Sequence, residues 1–319
     1  MSKVDRNNPK RSKASESSYS LMEFMRDFPD DATCLDFLWR ERFSEDGRHA
    51  ECPKCDRERS FYRSASRPSF CCDTCGHHLH PTAGTIFHKS ATSLQLWFYA
   101  MYLMTSTRGG ISAKQVEREL GVTYKTAWRM CNLIRNQLMT DDDDTPLSGE
   151  VEVDETYIGG KLKMSERRRL IARGIDPRGP HSKPKTTVFA AVERNGGRVR
   201  ATVVPDSRAA TLGENVETFI LPSATIYTDD WKGYADLVAR GYTHYRINHS
   251  ERVYVSGRVH TQTIEGFFGN TKRGISGVYH SVSTKWLQGY LNEYAWRYNH
   301  RQDPQAMFRT LRVRSSLRV

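Results

Sequence analysis

Between residues 93 and 138 the apolar positions recur at helical spacing. SLQLWFYAMYLMTST (93–107) is apolar nearly all round and predicts a buried helix. ISAKQVERELGVTYKTAWRMCNLIRNQL (111–138) predicts a short helix running into Gly121 and a second one capped by Thr123. In the second, Ala127, Cys131, Ile134 and Leu138 fall on one side as a stripe for burial, and Lys125, Thr126 and Arg129 stay near the exposed N-terminal end. This is helix-turn-helix patterning, whose second helix can enter a DNA major groove, although ordinary helix pairs share it. Upstream, residues 19–45 alternate apolar and charged positions at the same spacing, and Pro29 divides them into two short helices.

After residue 149 the period changes. EVEVDETYIGG (150–160) alternates like a strand, with Val151 and Val153 on one face and Glu152 and Asp154 on the other. KTTVFAAVERNGGRVRATVV (185–204) predicts two strands around the turn residues Asn195, Gly196 and Gly197. RAATLGENVETFIL is helical, TIYTDD (225–230) is a strand ending in carboxylates, TIEGFFGNTKRG begins a helix, and STKWLQGYLNEYAWRYNHR (283–301) is a long amphipathic one. That order predicts a mixed α/β layer with helices covering a sheet. The Tyr and Trp residues of the last helix are read as core rather than as base-stacking groups.

Between these halves, TDDDDTPLSG (140–149) is a charged, turn-forming connector; its four aspartates are read as solvated rather than as a metal site. KLKMSERRRLIARGIDPRGPHSKPK (161–185) is a basic insertion, either a solvated loop or an arm that grips DNA. Residues 1–18 are polar, lack an apolar signal core and are expected to be disordered.

Composition sharpens this outline. The 319 residues allow more than one domain, and a mean hydropathy of −0.66 with no run of 18 apolar residues argues against a membrane span. The net charge of +11 lies entirely in the second half: residues 1–150 hold 21 Lys+Arg against 21 Asp+Glu, and 151–319 hold 27 against 16. So basic a half expects a polyanionic partner, most simply double-stranded DNA. Seven cysteines, an odd number, fit a reducing compartment, where C-x-x-C pairs bind metal more often than they form disulfides; a cytoplasmic, nucleoid-associated location follows as an expectation.

Cys52, Cys55, Cys72 and Cys75 have the spacing C-x2-C-x16-C-x2-C, two turns that each offer two thiolates to a tetrahedral, structural Zn2+. Free thiols or an iron–sulfur site are the alternatives. Cys71 could compete with Cys72, and His77, His78, His80 and His88 are read as surface or DNA-facing groups rather than ligands. The closed site has no catalytic role.

Three carboxylates carry the candidate chemistry: Asp154 in the first strand, Asp229 ending TIYTDD, and Glu265 at a helix start. Phosphodiester transfer needs an activated attacking oxygen and a stabilised leaving oxygen, and two Mg2+ or Mn2+ ions about 3.5–4 Å apart supply both. Hard cations prefer carboxylate oxygens. Lys272, seven residues after Glu265 and on the same helix face, is placed to bind substrate phosphate, with Arg273 beside it. Among 37 acidic residues any three can be given a spacing, so the context, two strands and a helix in a basic half, carries the assignment.

CPKC…CDTCG, GTIFHKS, LQLWFYAMYLM, ISAKQVERELGVTYKTAWRM, VDETYIGGK, YTDDWKGY, HTQTIEGFFGNTKRG and YLNEYAWRYNHR occur in an order that resembles the bacterial insertion-sequence transposases of the DDE type with an N-terminal zinc ribbon. That group is named after ISXO-two and is related to the eukaryotic Merlin transposons. The likeness covers about residues 35–305. It implies an RNase H-like catalytic domain, Mg2+-dependent cutting and joining of transposon ends, a triad of Asp154, Asp229 and Glu265, and a dimer or higher assembly on DNA, since two ends are paired. Some relatives carry Asn at the third position. Asp230 is the alternative to Asp229, and Glu155, on the opposite strand face, is the weaker neighbour of Asp154.

The expected organisation is therefore multidomain α/β: a disordered tail (1–18), a helical lead-in (19–49), a zinc ribbon (50–88), a helix-turn-helix region (89–139), an acidic linker (140–149), an RNase H-like mixed sheet flanked by helices (150–305) and a basic C-terminal tail (306–319). Its expected function is a transposase that binds the terminal inverted repeats of its own element and performs two-metal cleavage and strand transfer. A catalytically silent DNA-binding regulator descended from a transposase, or a zinc-bearing nuclease that cuts without joining, are the competing functions; the intact Asp/Asp/Glu set disfavours the first.

Overall fold

The computed structural model describes residues 19–107, 109–140, 143–159, 164–176, 185–247 and 260–318. The expected disordered tail 1–18 lies outside them, as do 161–163 and 177–184 of the basic insertion. In chain order the elements are α1 (Leu21–Asp27), α2 (Asp31–Arg42), β1 (His49–Cys52), β2 (Arg57–Arg63), β3 (Phe70–Cys72), β4 (His78–Leu79), α3 (Leu94–Ser106), α4 (Ala113–Leu120) and α5 (Tyr124–Leu133). Then come β5 (Glu150–Ile158), α6 (Met164–Ala172), β6 (Thr186–Glu193), β7 (Val199–Val204), α7 (Ala209–Phe219), β8 (Thr225–Asp229), β9 (Thr243–Ile247), α8 (Gln262–Gly277), α9 (Thr284–Asn299) and α10 (Pro304–Arg314). No helix among the described residues is long and apolar enough to cross a membrane.

The chain divides into two compact units, Met1–Leu138 with His300–Val319, and Met139–Asn299. In the first, Pro29 separates α1 from α2, and each helix starts on a side-chain cap: Ser20 with Glu23 for α1, Asp30 for α2. The strands β1-β2-β3-β4 form an antiparallel sheet. Its core joins Leu35 and Trp39 of α2 to Ala50, Phe61 and Phe70, so the small sheet borrows a hydrophobic face from the preceding helix. The nearly all-apolar α3 buries Trp97, Phe98, Met101 and Met104. Helix α4 ends at Gly121 in the left-handed conformation (φ 64°), a C-cap that favours glycine, and Thr123 then caps α5.

Residues 306–319, expected as a basic tail, instead contribute to α10, which starts on Asp303 and Pro304 and belongs to the first unit. Phe308 packs among Tyr19, Phe24, Phe28 and Tyr102. The basic residues hid an apolar stripe of Met307, Phe308 and Leu311, all buried.

The second unit is built on a five-stranded sheet of order β7-β6-β5-β8-β9. β5 is antiparallel to β6, β6 to β7, and β5, β8 and β9 run parallel. Only β6 therefore opposes the rest. Both faces are covered. Val151, Val153, Phe189 and Ile226 form one core with Leu212 and Val216 of α7. Ile158, Val188, Ala190 and Val192 form another with Ile264, Phe267 and Phe268 of α8 and Leu287 and Leu291 of α9. The β6–β7 turn passes through Asn195 and Gly196, both at positive φ (57° and 90°). Two elements differ from the sequence reading. Part of the basic insertion is the helix α6, and β9 adds an edge strand that the sequence pattern did not predict, because most of its residues are exposed or half-buried.

Candidate active site and metal centre

Cys52 and Cys55 flank the turn after β1, and Cys72 and Cys75 the turn after β3. Their Sγ atoms all lie within 4.8 Å of one another. Cys52 and Cys75 are 3.6 Å apart, and Cys55 and Cys72 are 4.0 Å apart. A tetrahedral zinc with bonds of about 2.3 Å places its sulfurs about 3.8 Å apart, so this donor set fits that ion. The backbone N–H groups of Cys55 and Asp56 both donate to the Cys52 carbonyl, and that of Gly76 donates to the Cys72 carbonyl, which shapes the two tight turns. Asp56 and Gly76 take positive φ there. Cys71 points its thiol to a backbone carbonyl and is not in the cluster.

On α5, Ala127, Met130 and Cys131 are buried, followed by Ile134 and Leu138. Lys125 and Arg129 are exposed and Thr126 is half-buried, its N–H bonded to the Thr123 hydroxyl.

The carboxylates come from two adjacent strands and the start of a helix. The β5–β8 ladder pairs Glu152 with Tyr227, and two residues further along each strand come Asp154 and Asp229. Adjacent parallel strands thus bring the two acids side by side, Asp154 from the middle of β5 and Asp229 from the last residue of β8. Glu265 lies in the first turn of α8, which packs on the same face of the sheet.

These groups feel one another. The Asp154 carboxyl is pushed up to about 8, first by burial, then by the charges of Asp229, Glu155 and Glu265. None of its largest influences is basic. Crowded anions of this kind raise a pKa and call for a cation, and their oxygens are hard donors suited to Mg2+ or Mn2+. Among the described residues only the cysteines form a group of three or more with ligand atoms all within 4.8 Å of one another, so the three acids are spaced more widely than the thiols.

Each acid is also held. Asp154 accepts from the Glu155 N–H at 2.8 Å, Asp229 from the Trp231 N–H at 3.1 Å, and Glu265 from the Thr261 hydroxyl at 3.2 Å. Asp230 is exposed and faces Arg246 at 3.9 Å. Glu155, on the other strand face, accepts from the Tyr234 hydroxyl at 2.7 Å; burial raises its pKa against that bond, and Asp229 adds to the rise. Lys272 and Arg273 are exposed on α8, Arg273 donating to the Asn270 side chain at 2.5 Å.

Sequence reasoning missed Glu152. It is fully buried and accepts from the Arg194 guanidinium at 2.9 Å, the Thr263 N–H at 2.8 Å, the Ile264 N–H at 3.0 Å and the Thr263 hydroxyl at 3.0 Å. The signal was a second acid on the Asp154 face of an otherwise apolar strand. Arg194, beside a turn, gave no sign of burial.

Residues 146–299 match the family described as the ISXO2-like transposase domain. The chain is 32% identical over 260 residues to an uncharacterized protein in the transposable element ISH50 of Halobacterium salinarum, across 77% of this chain and 84% of the relative. It is 28% identical over 103 residues to an uncharacterized transposase-like protein of Haemophilus influenzae, across 32% of this chain and 82% of that one. Among solved structures, the catalytic core domain of BIV integrase aligns with a TM-score of 0.30 and 15% identity, over 46% of this chain and 82% of that domain. The chain belongs to the ISXO2-like family of insertion-sequence DDE transposases.

Proposed function

We propose that this transposase binds the inverted ends of its element through the first unit and cuts and joins DNA with Asp154, Asp229 and Glu265. The observation that carries the reading is the mutual charge of those carboxylates, delivered from two adjacent parallel strands and one helix start. The strand order, with one reversed strand second in sequence, is the arrangement expected of an RNase H-like core.

The four cysteines would hold a structural Zn2+, and the three carboxylates two Mg2+ or Mn2+ ions. When bound, such ions activate the attacking oxygen and stabilise the leaving one. The chain's own part is to fix positions. Asp154 of β5, Asp229 of β8 and Glu265 of α8 would together hold the ions. Lys272 and Arg273, exposed on that helix, would hold phosphates of the substrate. On α5, Lys125, Thr126 and Arg129 would contact the end sequence, making α4 and α5 a helix-turn-helix reader. Because two ends must be brought together, the working form would be a dimer or larger on DNA.

The test is a gel assay of cutting and of joining of pre-cut ends, run with Mg2+ or Mn2+ beside a binding assay. Asp154→Asn, Asp229→Asn and Glu265→Gln should each abolish both reactions and leave end binding intact, while Asp230→Asn stays active. Normal cutting by all three would end the two-metal reading, and activity in Asp229→Asn with none in Asp230→Asn would move the register by one residue.

A further inference from the structure

A buried ion pair lies under the three carboxylates. Glu152 is fully buried and the Arg194 side chain nearly so. Ionised groups are kept out of water only at a desolvation cost of several kcal/mol each, so a buried pair is weak evidence for stability alone. What this pair touches suggests another reason for it.

Glu152 stands in β5 two residues before Asp154. One of its oxygens accepts the N–H groups of Thr263 and Ile264, the second and third residues of α8, at 2.8 and 3.0 Å. These are the donors that a helix N-cap normally satisfies. Thr261, at the N-cap position of α8, makes no such side-chain bond. A strand residue therefore caps the helix, and Glu265 is the next residue after Ile264. The other oxygen accepts from the Thr263 hydroxyl and from Arg194.

Arg194 reaches the third element. Its guanidinium lies over the Tyr227 ring at 3.7 Å, and Tyr227 stands in β8 two residues before Asp229. Tyr227 in turn donates to Glu150 of β5 at 3.0 Å, and the Arg194 N–H donates to the Glu150 carbonyl at 2.9 Å. The Arg194 guanidinium also donates to the His260 carbonyl just before α8.

We infer that Glu152 and Arg194 are positioning residues: one buried pair joins β5, β8 and α8 within two residues of Asp154, Asp229 and Glu265, and sets the spacing of those acids for the catalytic cations. The inference rests on the proposed metal role of the three acids. Glu152 itself touches no reacting atom. Its carboxylate gives direction, because a charged cap holds both helix N–H groups at once and favours the N-terminal end of the helix dipole. The pair thereby fixes where the first turn of α8 lies relative to Asp154 and Asp229.

The experiment uses the full chain and reads Mn2+ affinity directly, from the electron paramagnetic resonance signal of free Mn2+. Melting temperature, end binding and the Mg2+ concentration for half-maximal cutting are read beside it. Glu152→Gln keeps shape and one acceptor oxygen but loses the charge. It should bind ends as the parent does, bind Mn2+ about tenfold more weakly and need correspondingly more Mg2+, within the range usual for groups that orient metal ligands. Thr263→Ala removes one bond to the same carboxylate and leaves the ion pair whole, so it reads the same quantity where Glu152→Gln folds poorly; a weakening in the same direction, smaller than for Glu152→Gln, is expected. Parent-like Mn2+ affinity in a folded Glu152→Gln, or in Thr263→Ala where Glu152→Gln does not fold, overturns the positioning role. Asp154→Asn separates the two levels: if it too binds Mn2+ as the parent does, the metal reading of the carboxylates has failed, and if it alone loses Mn2+, only the positioning role has.

Discussion

Trp39 of α2 lies flat against Phe70 of β3, ring centroids 4.2 Å apart and planes 11° from parallel. Its indole N–H donates to the Gly47 carbonyl at 2.9 Å. The cysteine-bearing sheet thus shares its core with a helix. Trp39→Ala should cost about 3–5 kcal/mol of local stability, and zinc should leave the variant faster under a chelator, as a colorimetric zinc assay would show. Parent-like release would mean that the ribbon stands without the helix.

Cys52→Ser and Cys75→Ser each remove one of the four clustered thiols. Both should lose stoichiometric zinc and the order of residues 50–88, because metal affinity in such modules is folding free energy. Elemental analysis of the parent protein finding no zinc at one per chain would refute this.

Lys125→Ala and Arg129→Ala concern the exposed start of α5. A phosphate contact should weaken binding to every duplex and lower the salt slope by about one, whereas a base contact should relax specificity by about 1–3 kcal/mol. Titrations on end sequence and random duplex at several salt concentrations separate the two. Unchanged binding to both would remove α5 from the interface.

Gly274 of α8 lies directly against the Tyr294 side chain of α9. A Cβ there would stand 1.6 Å from the Tyr294 hydroxyl oxygen and 2.4 Å from the ring carbon bearing it. Alanine normally gains up to about 1 kcal/mol over glycine inside a helix, but overpacking a buried contact costs about 1–3 kcal/mol. The clash should win, so Gly274→Ala should melt lower than the parent, and adding Tyr294→Phe should recover part of the loss. A higher melting temperature for Gly274→Ala would show that Tyr294 moves freely.

Burial, and secondarily Arg246, pulls the His244 imidazole down to about 4. Its Nε2 shares a hydrogen bond of 2.8 Å with the Thr228 hydroxyl. The unfolded chain takes up this proton near pH 6.5, while the fold resists it until about pH 4. Between those values the unfolded state binds more protons, so this residue lowers stability as pH falls. His244→Gln should flatten the loss of melting temperature from pH 6.5 to pH 4.5. Identical slopes in both proteins would exclude His244 as the cause.

The two strands around Asn195 and Gly196, the helices either side of Gly121 and the Pro29 break were legible because local chemistry and burial agree there. β9 was not: THYRI is an edge strand with little to bury, so no apolar period marks it. α10 was hidden by its arginines. Alternation in EVEVDE placed Glu152 and Asp154 on one face, but their difference is tertiary: one meets a helix N-terminus and an arginine, the other a group of acids. No local pattern carries that distinction, since Arg194 and Thr263 stand 42 and 111 residues from Glu152.

Because α10 completes the first unit, that unit is discontinuous in the chain, and the second is an insertion within it. During synthesis the pocket of Tyr19, Phe24, Phe28 and Tyr102 must wait for Phe308 until the ribosome has passed some two hundred further residues. Chains that end early, by frameshift or nonsense, therefore lose more than their last helix. They leave an aromatic pocket uncovered at the N-terminal end, a defect that quality-control proteases can detect. An element whose transposase is built this way links the integrity of its whole reading frame to the folding of its first unit.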